Sequence, residues 1–184
     1  MTVHGLLLAA GAGSRYGAPK ALVDDWLVRA LTVLADGGCP ERTVVLGAQA
    51  EQARVLVPEG VAVVVTGDWA QGLGASLRDG LAALSDSDAA LVHLVDLPDV
   101  PAAAVARVLA AATGPGSLAR ATYDGRPGHP VLLGHDHWAA VAAGADGDRG
   151  ARDYLAKHPL ELVECGDLAT GHDVDQRPAR GDHA

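Results

Sequence analysis

A short, mostly apolar run near the start of the chain, Val3 to Ala9, limits the available folds more than any other feature. A strand that is apolar on both faces is typical of a parallel sheet with helices packed on both sides. The rest of the chain continues in the same way, because short β-branched runs alternate with segments of helical periodicity. This alternation predicts repeated βαβ units and an open parallel sheet.

One segment departs from the alternation. Residues 117–123 and the stretch around residues 130–133 are extended pieces joined by a turn at Asp124-Gly125, which predicts an antiparallel hairpin. We therefore expect an α/β fold, a single Rossmann-like three-layer domain with a mostly parallel sheet and an antiparallel edge hairpin. The domain is predicted to span residues 1–175, and the polar tail, residues 176–184, is predicted to fray.

The composition excludes two broad classes of function. The 184 residues carry 14 Lys and Arg against 23 Asp and Glu, a net charge of −9, with three Trp, three Tyr and no Phe. Acidic charge opposes binding to a phosphate backbone and so few rings make a poor stacking surface, so we expect no nucleic-acid partner. No window approaches the roughly 18 consecutive apolar residues of a membrane helix. We expect a cytoplasmic protein with no membrane partner, in which Cys39 and Cys165 are buried or partly buried thiols.

Polar and glycine-rich segments follow three of the predicted strands. They are a first loop at residues 10–20, a second loop at residues 67–74, and the pair Asp96 and Asp99 after the fourth strand. In an open α/β sheet, ligands bind outside the carboxyl ends of the strands. The sequence therefore predicts that these three segments form one binding site.

The first loop is built for an anion but matches neither of two common phosphate-binding motifs. Its glycines allow backbone N–H groups to approach a phosphate, and Arg15 and Lys20 add positive charge. The dinucleotide motif G-x-G-x-x-G fails, because Tyr16 stands at the third glycine position and Gly47 stands where an acidic residue is needed. The nucleoside-triphosphatase loop fails as well, since Ala21 follows Lys20 where Ser or Thr is required.

The loop instead resembles the signature of the molybdenum-cofactor cytidylyl- and guanylyltransferases, L-A-[AG]-G-x-x-x-R-x-G-x-x-K. The residues that match its fixed positions are Leu8, Ala9, Ala10, Gly11, Arg15, Gly17 and Lys20. In that family Ala at the third position accompanies cytidylyl transfer and Gly accompanies guanylyl transfer. Ala10 therefore points to CTP as the nucleotide.

The second loop extends the resemblance. Residues 68–77 are similar to the loop that reads the base in related cytidylyl- and uridylyltransferases, where Gly72 and Gly74 would let the backbone lie against a planar base. Ser76 has two interpretations of equal weight, either a hydroxyl that reads the base or the N-cap of the following helix. The complete set of predicted nucleotide-binding residues is Leu8, Ala9, Ala10, Gly11, Gly13, Arg15, Lys20, Gly72, Gly74, Ala75 and Ser76.

The resemblance also implies a metal and a set of catalytic residues. Asp96-Leu97-Pro98 is similar to the family's D-x-P, whose Asp holds the catalytic Mg²⁺. Asp175 follows Asp173 and Val174 in a segment that keeps only the two aspartates of the family's C-terminal motif, and it is the second predicted metal ligand. Arg15, Lys20 and Asp96 are the predicted catalytic residues, with the two cations stabilising the triphosphate and the charge that develops on pyrophosphate.

Residues 128–131 and 147–152 resemble two segments of the cytidylyltransferase branch that lie on the side of the second substrate. The predicted acceptor-binding residues are Arg126, His129, Asp148 and Arg152. Solvated surface charge remains an equal alternative for the two arginines and the aspartate. Three other histidines are expected to lie outside the site, His93 as a hydrogen-bonded core residue and His135 and His137 at the surface.

These features predict a Mg²⁺-dependent nucleotidyltransferase that transfers a cytidylyl group from CTP to a molybdopterin-type cofactor. Three alternatives stay open. Two share the fold: a guanylyltransferase acting on the same cofactor and a sugar-phosphate nucleotidyltransferase. The third is a non-catalytic nucleotide- or cofactor-binding chaperone that delivers cofactor to a molybdenum hydroxylase, which is also a candidate partner of the enzyme.

Overall fold

The computed structural model describes residues 1–84 and 87–176. Its seven strands form one sheet in the order β3-β2-β1-β4-β6-β5-β7. The strands are β1 (Val3–Ala9), β2 (Arg42–Leu46), β3 (Ala62–Val65), β4 (Ala89–Leu94), β5 (Leu118–Tyr123), β6 (Arg126–Gly134) and β7 (Glu161–Glu164). Of the tail that was predicted to fray, residues 177–184 lie outside the described residues.

The mixed sheet confirms the predicted α/β class. β1 lies between β2 and β4 and pairs with both in parallel, and only β6 among the described strands runs against its neighbours. The β5–β6 hairpin lies on one side of the sheet, and β7 pairs in parallel with β5 beyond it as the outermost strand. The terminal strand, predicted at residues 160–165, therefore completes the sheet next to the hairpin.

Six α-helices and three short 3-10 helices connect the strands. The α-helices are α1 (Trp26–Asp36), α2 (Ala50–Arg54), α3 (Leu73–Ala82), α4 (Ala102–Leu109), α5 (His135–Gly144) and α6 (Arg152–Leu155). The 3-10 helices are Lys20–Leu22, Trp69–Gln71 and Gly147–Arg149. None of the helices in the described ranges has the length and apolar character needed to cross a membrane.

The alternating side chains of β1 contribute to two separate cores, as expected for a strand covered on both faces. Leu7 packs with α1, α2 and α4 on one face, whereas Leu6 and Leu8 pack with α3, α5 and α6 on the other. The three-layer arrangement is therefore a direct consequence of the apolar run that opens the chain. Cys39 and Cys165 are buried free thiols, as predicted.

The segment after β7 runs back across the carboxyl ends of the strands. Asp99 accepts hydrogen bonds from the backbone N and the hydroxyl of Thr170, at 2.8 and 2.6 Å. The backbone N of Val174 donates to the carbonyl of Asp96 at the end of β4, at 3.0 Å. The sequence placed Asp99 with Asp96 in one predicted binding site, but Asp99 does not line the cavity that contains Asp96. In the structure its carboxylate holds the C-terminal segment beside the site.

The packing of α3 on the sheet gives a testable prediction at Gly80. A Cβ at this position would lie 2.9 Å from side-chain carbons of Leu6 and Val45, both of which are fully buried. We expect Gly80→Ala to lower the free energy of unfolding by about 1–3 kcal/mol, because neither neighbour has free space. Urea unfolding monitored by circular dichroism measures this change.

Gly144→Ala in α5 is the matched control, since nothing lies within 4 Å of a Cβ placed there. This change should leave stability unchanged or raise it by up to about 1 kcal/mol. Equal stability of the two variants would show that the close approach of α3 to the sheet is not needed.

Candidate active site

A cavity of about 480 Å³ opens at the carboxyl ends of β1 and β4. Its walls come from the first glycine-rich loop, the loop before α3, the end of β4 and the returning C-terminal segment. The structure brings together in this cavity most of the residues that the sequence singled out. The predicted residues that line it are Leu8, Ala9, Ala10, Gly11, Gly13, Arg15, Lys20, Gly72, Ser76, Asp96, Asp148 and Asp175.

The first loop folds back on itself around Gly13. Gly13 has a φ of 60°, and the backbone N of Gly17 donates to the Gly13 carbonyl at 2.7 Å. The carbonyl of Ala18 lies where a Cβ on Gly13 would be, so only glycine fits. This turn lays the backbone of the loop along one wall of the cavity, where an anion can approach it.

Lys20 lies at the centre of an ion cluster in this cavity. Its Nζ donates to Asp96 Oδ2 at 2.7 Å and to Asp175 Oδ1 at 2.8 Å. Arg15 Nη1 donates to the other oxygen of Asp175 at 2.9 Å. The Lys20 and Asp96 side chains are 14% and 17% exposed, whereas Arg15 is 76% exposed. The inner pair is thus shielded from water, and the outer pair is accessible to a ligand.

The hydrogen bonds of the cluster favour the charged forms of Lys20 and Asp175. Burial alone would lower the pKa of Lys20, but hydrogen bonds from its ammonium to Asp175 and Asp96 more than offset this and raise it. The hydrogen bond from Lys20 is also the main cause of the lowered pKa of Asp175, although burial opposes it. At neutral pH a lysine cation therefore lies between two carboxylates.

Three carboxylates converge at this point. One oxygen each of Asp96, Asp173 and Asp175 lies within 4.8 Å of the others, and no other group of this kind occurs in the described ranges. Carboxylate oxygens are the hard ligands that Mg²⁺ and Mn²⁺ prefer, and these ions need only one or two such groups beside phosphate oxygens. The donor set therefore fits a divalent metal. Asp173 was not among the predicted ligands, although its spacing of two residues from Asp175 was a signal for it.

The second loop differs from its expected role. Ser76 is buried in the fourth position of α3, whose N-cap is Gly72, so the capping interpretation is wrong. Ser76 lines the cavity, whereas Gly74 and Ala75 do not. A Cβ on Gly74 would lie 2.8 Å from the backbone of residues 145–146. Its lack of a side chain therefore serves the packing of α3 against that segment.

Gly72 has a related constraint. Its φ is 104°, and a Cβ there would lie 2.7 Å from Asp148 Oδ1. Trp69 also lines the cavity and was not among the predicted site residues. It packs against Gly47, where an added Cβ would lie 2.5 Å from Trp69 Cβ. These contacts join the second loop to both flanking segments of the site.

A second cavity of about 80 Å³ adjoins the first and shares Leu8, Leu73 and Asp148 with it. Of the predicted acceptor residues, His129, Asp148 and Arg152 line this second cavity. Arg120 and Arg149 line it as well and were not predicted. Arg126 is exposed at the start of β6 and lines neither cavity, because the hairpin turn carries it away from the sheet face.

Arg120 is unusual because it is a cation inside an otherwise buried strand. Its Nε donates to the carbonyl of Gly128 at 2.9 Å. Burial lowers the pKa of Arg120, and the positive charge of Arg152 lowers it further. An arginine alternating with apolar residues in Leu118–Tyr123 was the sequence signal that could have identified it.

The four histidines that the sequence analysis considered lie in different environments. Burial, together with the nearby Arg120 and His93, lowers the pKa of His129 to about 3, so its ring is neutral at pH 7. His93 is a buried core residue, as expected, but its Nδ1 has no hydrogen-bond partner, and burial lowers its pKa to about 4. His137 is partly buried rather than at the surface, with Nδ1 2.7 Å from the Tyr154 hydroxyl. His135 is exposed, and its ring contacts Trp138.

Comparisons with known proteins concern the family and the fold of this chain. A family model described as the MobA-like NTP transferase domain matches residues 5–162. Nicotine blue oxidoreductase of Paenarthrobacter nicotinovorans is 39% identical over 192 residues, which cover 94% of this chain and 92% of that protein.

Solved structures share the fold over nearly the whole chain. Rv0371c of Mycobacterium tuberculosis H37Rv has a TM-score of 0.80 and 26% identity, covering 96% of this chain and 94% of that one. A nucleotidyl transferase from Methanothermobacter has a TM-score of 0.83 and 21% identity, covering 95% and 92%. At 21% identity, the latter similarity concerns the fold alone.

The carboxylate cluster gives a prediction for metal binding. We expect Asp96→Asn to weaken Mn²⁺ binding by about tenfold or more, because the amide keeps one oxygen but loses the charge that attracts the ion. Electron paramagnetic resonance of free Mn²⁺ measures the affinity directly. Asp36→Asn, at the exposed end of α1, is the control and should bind Mn²⁺ as the unchanged protein does. Undiminished affinity in Asp96→Asn would exclude Asp96 as a ligand.

Proposed function

The chain belongs to the MobA-like NTP transferase family, and from this premise we propose that it is a CTP-dependent cytidylyltransferase acting on a molybdopterin-type acceptor. Family membership makes it a nucleotidyltransferase. The nucleotide, the acceptor and the metal are the parts that we propose. A molybdenum hydroxylase is then the expected recipient of the product, and the cytoplasm is the expected location.

The observation that carries this proposal is the ion cluster of Lys20, Asp96 and Asp175 beside the glycine-rich loop. A nucleoside triphosphate requires cations and backbone donors on one side and metal-binding carboxylates on the other. The cavity offers both within one volume of about 480 Å³, which falls in the usual range for small-ligand sites.

Asp96 and Asp175 would hold Mg²⁺, with Asp173 beside them. When bound, this ion would neutralise phosphate oxygens and polarise the reacting phosphorus. Rv0371c of Mycobacterium tuberculosis has been solved in complex with manganese, which supports a divalent metal in this proposal.

The chain's own residues would supply orientation and charge. The loop around Gly13 would present backbone N–H groups to the triphosphate, with Arg15 at the mouth of the cavity. Lys20 would exchange its carboxylate contacts for the leaving pyrophosphate, whose negative charge grows as the bond between the α-phosphorus and the bridging oxygen breaks. The acceptor oxygen attacks from the opposite side, so its positioning is the remaining requirement.

Two residues support CTP as the nucleotide. Ala10, which marks cytidylyl transfer in the family it resembles, is buried in the cavity wall and accepts a hydrogen bond from the backbone N of Ala48 at 2.9 Å. Ser76 places a hydroxyl in the same cavity, where it can bond a base edge. GTP and a sugar-phosphate acceptor remain outcomes of the experiment below.

A second candidate function comes from the 39% identical relative, whose name describes an oxidoreductase acting on nicotine blue. A chain this similar can share that activity. The paired carboxylates around Lys20 favour the transferase, because a hydride transfer does not call for a metal-binding cluster of this kind. Both activities can be measured on the same preparation.

The proposal is tested by pyrophosphate release with each of the four nucleoside triphosphates, Mg²⁺, and either molybdopterin or a sugar phosphate as acceptor. We expect release with CTP and molybdopterin, at a rate well above every other pair. Reduction of nicotine blue by NADH or NADPH is measured in parallel. Release with GTP alone would overturn the base assignment. Dye reduction without any pyrophosphate release would favour the oxidoreductase, and neither activity would favour the cofactor chaperone.

A further inference from the structure

We propose that Arg120 and Arg152 form an anion subsite in the second cavity, and that this subsite binds a phosphate monoester on the acceptor. The identity of that acceptor rests on the proposed function, whereas the anion subsite itself rests on the structure. The class of ligand is a phosphate dianion carried by a small molecule.

Arg120 and Arg152 lack a counter-charge in the described part of the chain. Neither Arg120 nor Arg152 forms an ion pair with a carboxylate of the described residues. Arg149, in the same cavity wall, is different, because its Nη1 is paired with Asp153 at 3.1 Å. Asp148 is the one carboxylate among the lining residues. Its Oδ1 lies beside Gly72, 2.7 Å from where a Cβ on that glycine would be. Arg120 and Arg152 therefore face one small cavity, and no carboxylate of the described residues forms an ion pair with either of them.

This arrangement of two arginines has an electrostatic cost. Arg120 is partly buried in β5, and the charge of Arg152 acts on it unfavourably. Like charges that face one another in a partly desolvated space destabilise the fold, unless a ligand of opposite charge compensates them. A phosphate dianion offsets both charges at once and matches the bidentate geometry of a guanidinium.

The neighbouring strand β6 fixes the position of Arg120. Residues 128–130 of β6 lie opposite the single residue Ala121 of β5, so the hairpin contains a bulge at this point. The bulge brings the Gly128 carbonyl to Arg120 Nε, at 2.9 Å. Fixing Nε in this way leaves the Nη groups for another acceptor. Bulges commonly direct a side chain toward a functional site.

The second cavity lies directly beside the first. It shares Leu8, Leu73 and Asp148 with the nucleotide cavity, so an anion held there lies beside the nucleotide. A volume of about 80 Å³ accommodates a phosphate group but not a second nucleotide. The subsite would therefore hold the reacting end of the acceptor, with the rest of that molecule extending outward.

This placement defines the chemical step. An oxygen of the acceptor phosphate forms a bond to the α-phosphorus of CTP, and the bond from that phosphorus to the bridging oxygen breaks. Pyrophosphate leaves with the electron pair, and the product contains a new diphosphate bridge. A phosphate dianion has no proton on the attacking oxygen at neutral pH, since its second pKa is about 6. The step therefore needs no general base, in agreement with the lowered pKa of His129.

The subsite is tested with inorganic phosphate as the probe, without any need for turnover. The Nε–Hε signals of ¹⁵N-labelled arginines are followed by NMR during a phosphate titration in the presence of CTP and Mg²⁺. We expect the signal of Arg120, assigned from Arg120→Met, to shift with phosphate. Affinity should fall about tenfold or more in Arg120→Met and in Arg152→Met, because each change removes a charge-assisted hydrogen bond.

Arg54→Met is the matched control, because Arg54 is exposed on α2 and lines neither cavity. It should bind phosphate as the unchanged protein does. Arg152→Met serves as the second variant if Arg120→Met fails to fold, since Arg152 is exposed. A phosphate affinity equal in all four proteins, or no shift of the Arg120 signal, would overturn the subsite.

Kinetics with molybdopterin separate this inference from the proposed function. We expect Arg120→Met to raise the KM for the acceptor by about tenfold or more while the KM for CTP stays unchanged. If no acceptor supports turnover but phosphate still binds at Arg120, the proposed function fails and the subsite stands. If turnover occurs with an unchanged acceptor KM in both variants, the proposed function stands and the subsite fails.

Discussion

The contact between Lys20 and its two carboxylates organises the rest of the site. Lys20 lies 76 residues from Asp96 and 155 residues from Asp175 in sequence, and its Nζ hydrogen-bonds to both. The three side chains come from different parts of the fold. Lys20 follows the glycine-rich loop after β1, Asp96 follows the end of β4, and Asp175 lies in the C-terminal segment that returns across the sheet. Without Lys20, the carboxylates of Asp96 and Asp175 would face one another with no cation between them, and their repulsion would favour an open site.

The position of Lys20 also explains how a protein with a net negative charge can bind a polyphosphate. A net charge of −9 repels anions at long range. Within the site, Lys20 and Arg15 provide local positive charge, and Arg120 and Arg152 add a second positive region in the adjoining cavity. The binding of an anionic nucleotide would release the carboxylates from Lys20 for a divalent cation. The two cavities thus separate the charges of the two substrates that the proposed reaction must join.

Much of this could be predicted from the sequence, and the failures have a common physical cause. The strand Val3–Ala9 and the loop after it follow local rules of periodicity and glycine content, and the structure confirms both. Arg120 was missed because its alternation with apolar residues marks only a polar position in a strand, whereas its exposure to a cavity depends on a bulge in the neighbouring strand. Asp173 joins the carboxylates through the backbone contact of Val174 with Asp96, and the glycine at position 74 serves a contact with residues 145–146. These features depend on contacts between distant segments.

The most direct test of the central claim is a comparison of CTP affinity and turnover in Lys20→Ala. The control is Lys157→Ala, because Lys157 is the only other lysine of the chain and is exposed. If Lys20 acts mainly on the charge that develops during transfer, kcat should fall by about 10²–10³ while the Kd for CTP, measured by calorimetry with Mg²⁺, changes far less. Equal losses in kcat and CTP affinity, or turnover as fast as in Lys157→Ala, would contradict the account.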